Sequence, residues 1–190
     1  IKKTIVFPYN QKEKTTFEGF VNFNDVLDNS IVNENFERFD FNHPIYILYS
    51  SGTTGKPKCI AHGAGNVLIE HNKEFMLHCD VKEKEKLFYF TTTGWMMWNW
   101  LVGGLATGSS IFLYDGSPTY PKIDILLKHC QDKKINFFGV SAKYIDHLKN
   151  ENFNSKNLDL SSIKIITSTG SPLAEESFKY VYENIKQDVH

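Results

Sequence analysis

From Pro44 onward, short runs of β-branched and aromatic residues alternate with longer stretches whose apolar positions recur at helical spacing. Alternation of this kind is the pattern of successive βαβ units, and it predicts an α/β fold, a mostly parallel sheet with flanking helices. Strands are expected near Ile45 to Tyr49, Cys59 to His62, Leu87 to Thr91, Ser110 to Tyr114, Ile135 to Val140 and Ile163 to Ser168, with an earlier one at Thr4 to Phe7. Helices are expected at Ala64 to His78, Trp95 to Ala106, Lys122 to Asp132, Ala142 to Asn150 and Leu173 to Ile185. The last has Ser171 placed for an N-cap and Pro172 for a first turn. Residues 1–43 are rich in Phe and Asn and less regular, so they read as a lead-in to an α/β subdomain at 44–190. The chain opens on Ile1, and "ENIKQDVH" stops where a further strand is expected. The whole therefore reads as an internal piece of a longer protein, incomplete at both ends.

Charge narrows the classes of partner. The 190 residues carry 21 basic and 22 acidic side chains for a formal net charge of −1, with Arg38 the single arginine. No basic face is clustered in the sequence, which disfavours nucleic acid and anionic membrane as partners. No apolar stretch approaches the ~20 residues that span a bilayer. Cys59, Cys79 and Cys130 are odd in number and lack CxxC spacing, so the reading is of reduced thiols in a cytoplasmic protein without a disulfide framework or structural zinc.

The sharpest local feature is "ILYSSGTTGKPK", Ile47 to Lys58, in which an expected buried strand runs into hydroxyls, glycines and lysines. Glycines let backbone N–H groups curl around an anion, hydroxyls add donors and lysines add charge, which together suit a polyphosphate. Composition alone is equally met by an exposed Ser/Thr/Gly turn. A Walker A loop is excluded, because Gly52 and Gly55 enclose two residues where that motif needs four, and Pro57 follows Lys56 where it needs Ser or Thr.

A second feature is "TTTGWMMWNW", Thr91 to Trp100, with three tryptophans and two methionines between Trp95 and Trp100. These side chains suit either a helix packed on the sheet or the wall of an apolar ligand pocket. A third is "STGSPL", Ser168 to Leu173, at the end of one expected strand and the start of a helix, where open α/β sheets bind ligands.

The loop "SSGTTGKPK" resembles the adenylate-forming superfamily of acyl-CoA synthetases, luciferases and related ligases, whose hallmark is [ST]-[SG]-G-[ST]-T-G-x-P-K. The run "TTTGWMMWNW" with "LYDGSP" downstream is similar to the branch of that family that activates acetoacetate, and the likeness extends over essentially the whole chain. The resemblance implies a two-step reaction in which Mg-ATP and the acid give an acyl-adenylate and pyrophosphate, after which CoA displaces AMP. It implies Ser51, Gly52, Thr53, Thr54, Gly55 and Lys58 as phosphate contacts, with Thr53, Thr54 and Lys58 catalytic. It further implies Gly170, Ser171 and Pro172 at the adenine, and Trp95, Met96, Met97 and Thr169 around the acid. Methionine is a soft apolar wall suited to a short oxoacid.

The resemblance also implies ATP, Mg²⁺ and CoA as participants, with a small C-terminal domain that supplies a catalytic lysine. That domain, the acidic Mg²⁺ motif and the ribose aspartate are not in these 190 residues, so no metal ligand is assigned and the chain alone is expected to be inactive. Acetate or another short acid is the rival substrate, and a nucleotide-binding module without catalysis is the rival class.

Other polar clusters carry less. His71, Glu74 and His78 share one helical face beside Cys79 and read as a solvated surface, because no second ligand pair accompanies them. Gly63 and Gly65 lack the third glycine of a dinucleotide fingerprint. His62 reads as a polar strand end, and Ser141 as an N-cap without triad partners.

Overall fold

The computed structural model describes residues 4–7, 18–27, 36–50 and 55–190. The chain divides into two units, Ile1–Phe39 and Asp40–His190. In the first, β1 (Ile5–Val6) lies parallel to β2 (Val21–Asn22), and the Phe7 and Phe23 rings meet edge to face with centroids 4.9 Å apart. The Asn22 side chain caps the short 3₁₀ turn Phe23–Asp25 by accepting from the Asn24 N–H at 3.0 Å.

The second unit begins with a hairpin. Strand β3 (Pro44–Tyr49) pairs antiparallel with β4 (Cys59–Gly63) in a two-stranded sheet of its own. This corrects the sequence reading, which placed both strands in the parallel series. A parallel pair needs a crossover of a dozen residues or more, and the short loop between Tyr49 and Cys59 leaves only the antiparallel solution. Strand β3 is not buried either. Its Tyr46 and Leu48 side chains turn inward, while Ile45, Ile47 and Tyr49 on the alternate face are 50%, 58% and 70% exposed.

Helix α1 (Ala64–Lys73) follows directly and closes in a wide π-helical turn, Glu74–His78, sealed by the Cys79 N–H donating to the Glu74 carbonyl at 2.8 Å. The parallel sheet then builds from β5 (Lys86–Tyr89), β6 (Ser110–Phe112), β7 (Phe137–Ser141) and β8 (Ile165–Thr169). Their spatial order is β6-β5-β7-β8, and every neighbouring pair is parallel. The connecting helices are α2 (Met96–Gly103), α3 (Ile125–Lys133) and α4 (Ala142–Asn150), and α5 (Glu175–Tyr180) follows β8. Chain leaving β5 moves toward β6, whereas chain leaving β7 moves toward β8. The connections therefore part between β5 and β7, the position at which open α/β sheets form a ligand crevice.

Alternation along the strands divides the core. Leu87, Tyr89 and Phe137 face α1 and α2, where Phe75 and Leu101 complete one cluster. Phe88, Phe138 and Val140 face the other layer, packing with Leu126, Leu127, Tyr144, Ile145 and Tyr180 from α3, α4 and α5. Strands buried on both faces read as continuous apolar runs such as "FFGV", as parallel sheets require. Ser141 caps α4, its Oγ accepting from the Tyr144 N–H at 3.3 Å.

The last helix starts later than its sequence indicates. Ala174 occupies the N-cap position of α5 without a side-chain bond, and Ser171 and Pro172 lie in the bend before it. Its first turn is stabilised instead by Glu175 and Glu176, whose charge complements the helix dipole. At its base, Ser177 is fully buried, donates to Asp146 Oδ1 at 2.6 Å and accepts from Lys149 Nζ at 2.8 Å, tying α5 to α4.

Candidate active site

The hairpin loop is held at its neck. The Ser50 N–H donates to the Lys58 carbonyl at 3.0 Å, and the Lys58 N–H donates to Ser50 Oγ at 3.3 Å. Ser51, Gly52, Thr53 and Thr54, four of the expected phosphate contacts, lie outside the described residues. Gly55 and Lys58 are described, and both are exposed. The antiparallel pairing of β3 and β4 thus carries the Lys58 end of the loop back beside Ser50, so the two ends of "SSGTTGKPK" sit together.

A cavity of about 930 Å³ opens between the hairpin, α1, α2 and the C-terminal ends of β5 and β8. Tyr46, Leu48 and His62 contribute from the hairpin, Met96, Met97, Asn99 and Trp100 from α2, Tyr89 from β5, and Thr167, Ser168 and Thr169 from β8. Of the residues expected around the acid, Met96, Met97 and Thr169 are brought together on this wall. Trp95 is not among the lining residues; it stands at the N-cap position of α2 and is 69% exposed. The other two tryptophans divide their roles. Trp100 packs against Phe75 with ring centroids 4.1 Å apart and against Phe137 at 5.4 Å, while Trp98 lines a smaller cleft with Thr91, Thr92, Thr93 and Tyr114. The aromatic run is therefore both core and pocket wall, as its mixed reading allowed.

Sequence reasoning missed the contribution of α1. His71, Glu74 and Cys79, read as a solvated face, line the cavity with Asn66 and Glu70. These polar side chains line the cavity beside Val67 and Ile69, while Leu68, Met76 and Leu77 are exposed and not among its lining residues. Close approach of α2 explains the His71 position, since a Cβ on Gly103 would lie 2.1 Å from His71 Nδ1. Partial burial lowers the His71 pKa from its ordinary value, against the raising influence of Glu70 and Glu74, and so favours the neutral imidazole. Among the described residues, no group of three His, Cys, Asp or Glu side chains could hold a metal ion.

Gly170, Ser171 and Pro172 follow the end of β8 as an exposed bend. Ser171 and Pro172 line a separate cavity of about 360 Å³ with Ile145, Phe178 and Tyr182. Gly170 is not among its lining residues.

The three thiols are in distinct surroundings. Cys59 is exposed on β4, Cys79 is pushed up to about 11 by desolvation, and burial pushes Cys130 higher still. Because the thiolate is the reactive form, native labelling at pH 8 with a soluble disulfide reagent should modify Cys59 first, half-buried Cys79 more slowly and Cys130 on the timescale of unfolding. Mass-spectrometric mapping checks the order, and early labelling of Cys130 would contradict it.

The sequence profile of AMP-binding enzymes matches residues 4–189. The acetoacetyl-coenzyme A synthetase of Rhizobium meliloti (strain 1021) is 54% identical over 155 residues, covering 81% of this chain and 24% of that protein. The acetoacetyl-CoA synthetase of Gallus gallus is 40% identical over 198 residues, covering 100% of this chain and 30% of its own length. Among solved structures, acetoacetyl-CoA synthetase from Streptomyces lividans superposes with a TM-score of 0.85 at 38% identity, over 96% of this chain and 28% of the other. The chain spans less than a third of the length of these relatives.

Proposed function

Because the chain belongs to the AMP-binding enzyme family, we propose that it forms part of an acid–CoA ligase whose acid is acetoacetate. In the first step a carboxylate oxygen attacks the α-phosphorus of ATP, forming the acyl-adenylate as pyrophosphate leaves. In the second the CoA thiol attacks the acyl carbon, forming the thioester as AMP leaves and the thiol proton passes to solvent.

One observation carries the reading: Met96 and Met97 of α2 and Thr169 of β8 converge on one cavity at the C-terminal ends of parallel strands. The cavity volume of about 930 Å³ exceeds what a four-carbon acid fills. The acid occupies the methionine end in this reading, and the adenylate extends from Thr169 toward the bend that follows β8. Lys58 and the hydroxyls of Ser51, Thr53 and Thr54 hold the polyphosphate, with catalysis supplied by positioning and charge neutralisation. Gly170, Ser171 and Pro172 take the base. Mg²⁺, bound to the polyphosphate, would supply further neutralisation; the described residues offer it no cluster of ligands.

The test uses the full-length protein, with acid-dependent ATP–pyrophosphate exchange and thioester formation measured on acetoacetate, acetate and butyrate. Acetoacetate should give the largest kcat/KM. A clear preference for acetate would transfer the assignment to another short acid, and absence of exchange with every acid would remove the ligase reading.

A further inference from the structure

Sheet register sets Tyr89 on β5, Gly139 on β7 and Thr167 on β8 in one row across the face toward α2. Gly139 leaves the middle of that row without a side chain, and the Tyr89 ring lies over it: a Cβ added to Gly139 would come within 2.1 Å of the ring. The tyrosine therefore crosses a whole strand, and its hydroxyl stands 2.6 Å from Thr169 Oγ1 and 3.4 Å from the Val140 carbonyl.

A phenol has one proton to give. Either oxygen of the 2.6 Å pair can donate; the 3.4 Å separation is long for an O–H···O bond, which makes Thr169 the better acceptor for the Tyr89 proton. Burial raises the Tyr89 pKa and keeps that proton in place. With its oxygen occupied as an acceptor, the Thr169 hydroxyl retains its own proton as a donor directed elsewhere. Thr169 lines the same cavity as Met96 and Met97.

Two more hydroxyl oxygens on that strand, Thr167 Oγ1 and Ser168 Oγ, are buried without a partner among the described residues. Their residues line the cavity too. Alternation along β8 sets Thr167 and Thr169 on the face of Met97 and Trp100, and Ser168 on the opposite face. Thr169 is the exposed member of the three, and a ligand oxygen placed against it gives its hydroxyl an acceptor. An alkanoic acid brings no such oxygen, whereas a 3-oxo acid brings one.

We propose that Tyr89, seated over Gly139, holds the Thr169 hydroxyl as the donor to the 3-oxo oxygen of the acid, making the pair a determinant of oxoacid over alkanoic acid. This rests on the assignment of the cavity to a short oxoacid. In the step itself nothing covalent passes through either residue; Tyr89 is a positioning residue and Thr169 a binding one.

The experiment compares kcat/KM for acetoacetate and for butyrate, equal in carbon number, in the full-length protein and its Thr169→Val, Thr169→Ser and Tyr89→Phe variants. Thr169→Val keeps the shape and removes the donor, and should lower the acetoacetate-to-butyrate ratio by about tenfold or more. Tyr89→Phe should lower it in the same direction, and Thr169→Ser should keep most of it. A ratio unchanged in Thr169→Val, or an equal fall on both acids, would overturn the proposal while leaving the ligase reading intact. If the unaltered protein fails to use acetoacetate, the assignment of the acid fails and this proposal falls with it.

Discussion

Replacing Phe75 with alanine should lower the free energy of unfolding by about 3–5 kcal/mol, the range for deleting a fully buried phenylalanine. Phe75 has no exposed surface, and it is the point at which three elements meet. It sits in the π-helical turn that closes α1, stacks on Trp100 of α2 and belongs to the cluster formed with Leu87 and Tyr89 of β5. Its ring also lies within 3.5 Å of where a Cβ on Gly104 would stand, so little room exists for collapse around the void. Urea unfolding of the full-length protein provides the measurement, with an unchanged m-value required for the comparison. Phe75→Leu should recover more than half of the loss, and a Phe75→Ala cost below about 1 kcal/mol would mean that α1 is not anchored there. Because Trp100 also faces the cavity, loosening this contact should be felt by Met96 and Met97 about one turn away.

The second large effect is expected at Lys58. In the proposed reading it is a charged contact to the polyphosphate, so Lys58→Ala should reduce kcat/KM for ATP about 10²-fold in the full-length protein. Lys58 lies at the neck of the hairpin loop, where its backbone N–H and carbonyl are both engaged with Ser50. Those bonds do not involve its side chain, and the variant should retain the hairpin and its thermal stability. Lys58→Arg keeps charge but not the compact ammonium, and should recover only part of the activity. A rise confined to the KM of the acid would place Lys58 at the carboxylate instead of the phosphates and remove this part of the assignment.

The parallel sheet was readable because strands buried on both faces announce themselves as apolar runs such as "KLFYF" and "NFFGV". Helix α1 together with its π-helical turn ends at His78 as its periodicity indicates, because Cys79 and Asp80 follow with the positive φ of Asp80 breaking the helix. The hairpin was misread for a local reason. An apolar strand leading into a glycine-rich loop has the appearance of a βα turn, and only the short distance to Cys59 reveals that the chain must double back. The start of α5 was misread because Ser171 and Pro172 satisfy the rules for a helix beginning, while the helix itself uses Glu175 and Glu176.

At the site, the methionines and Thr169 could be found by motif, since each lies in a continuous stretch. His71, Glu74 and Tyr89 could not, because their part in the cavity arises only when α1, α2 and β5 are packed. A sequence shows which residues are polar; it does not show which glycine on another element has made room for them. The neighbourhood of His71 and Gly103 and that of Tyr89 and Gly139 are two cases of this kind, both separated widely along the chain.

The second of these carries an evolutionary consequence. Tyr89 and Gly139 occupy one volume between them, so neither position can drift alone: any side chain gained at 139 evicts the ring at 89, and a smaller residue at 89 opens the space that a side chain at 139 would then fill. The two positions should vary together among descendants of this sequence, and a lineage that exchanges the bulk from 89 to 139 should also have changed the acid it prefers.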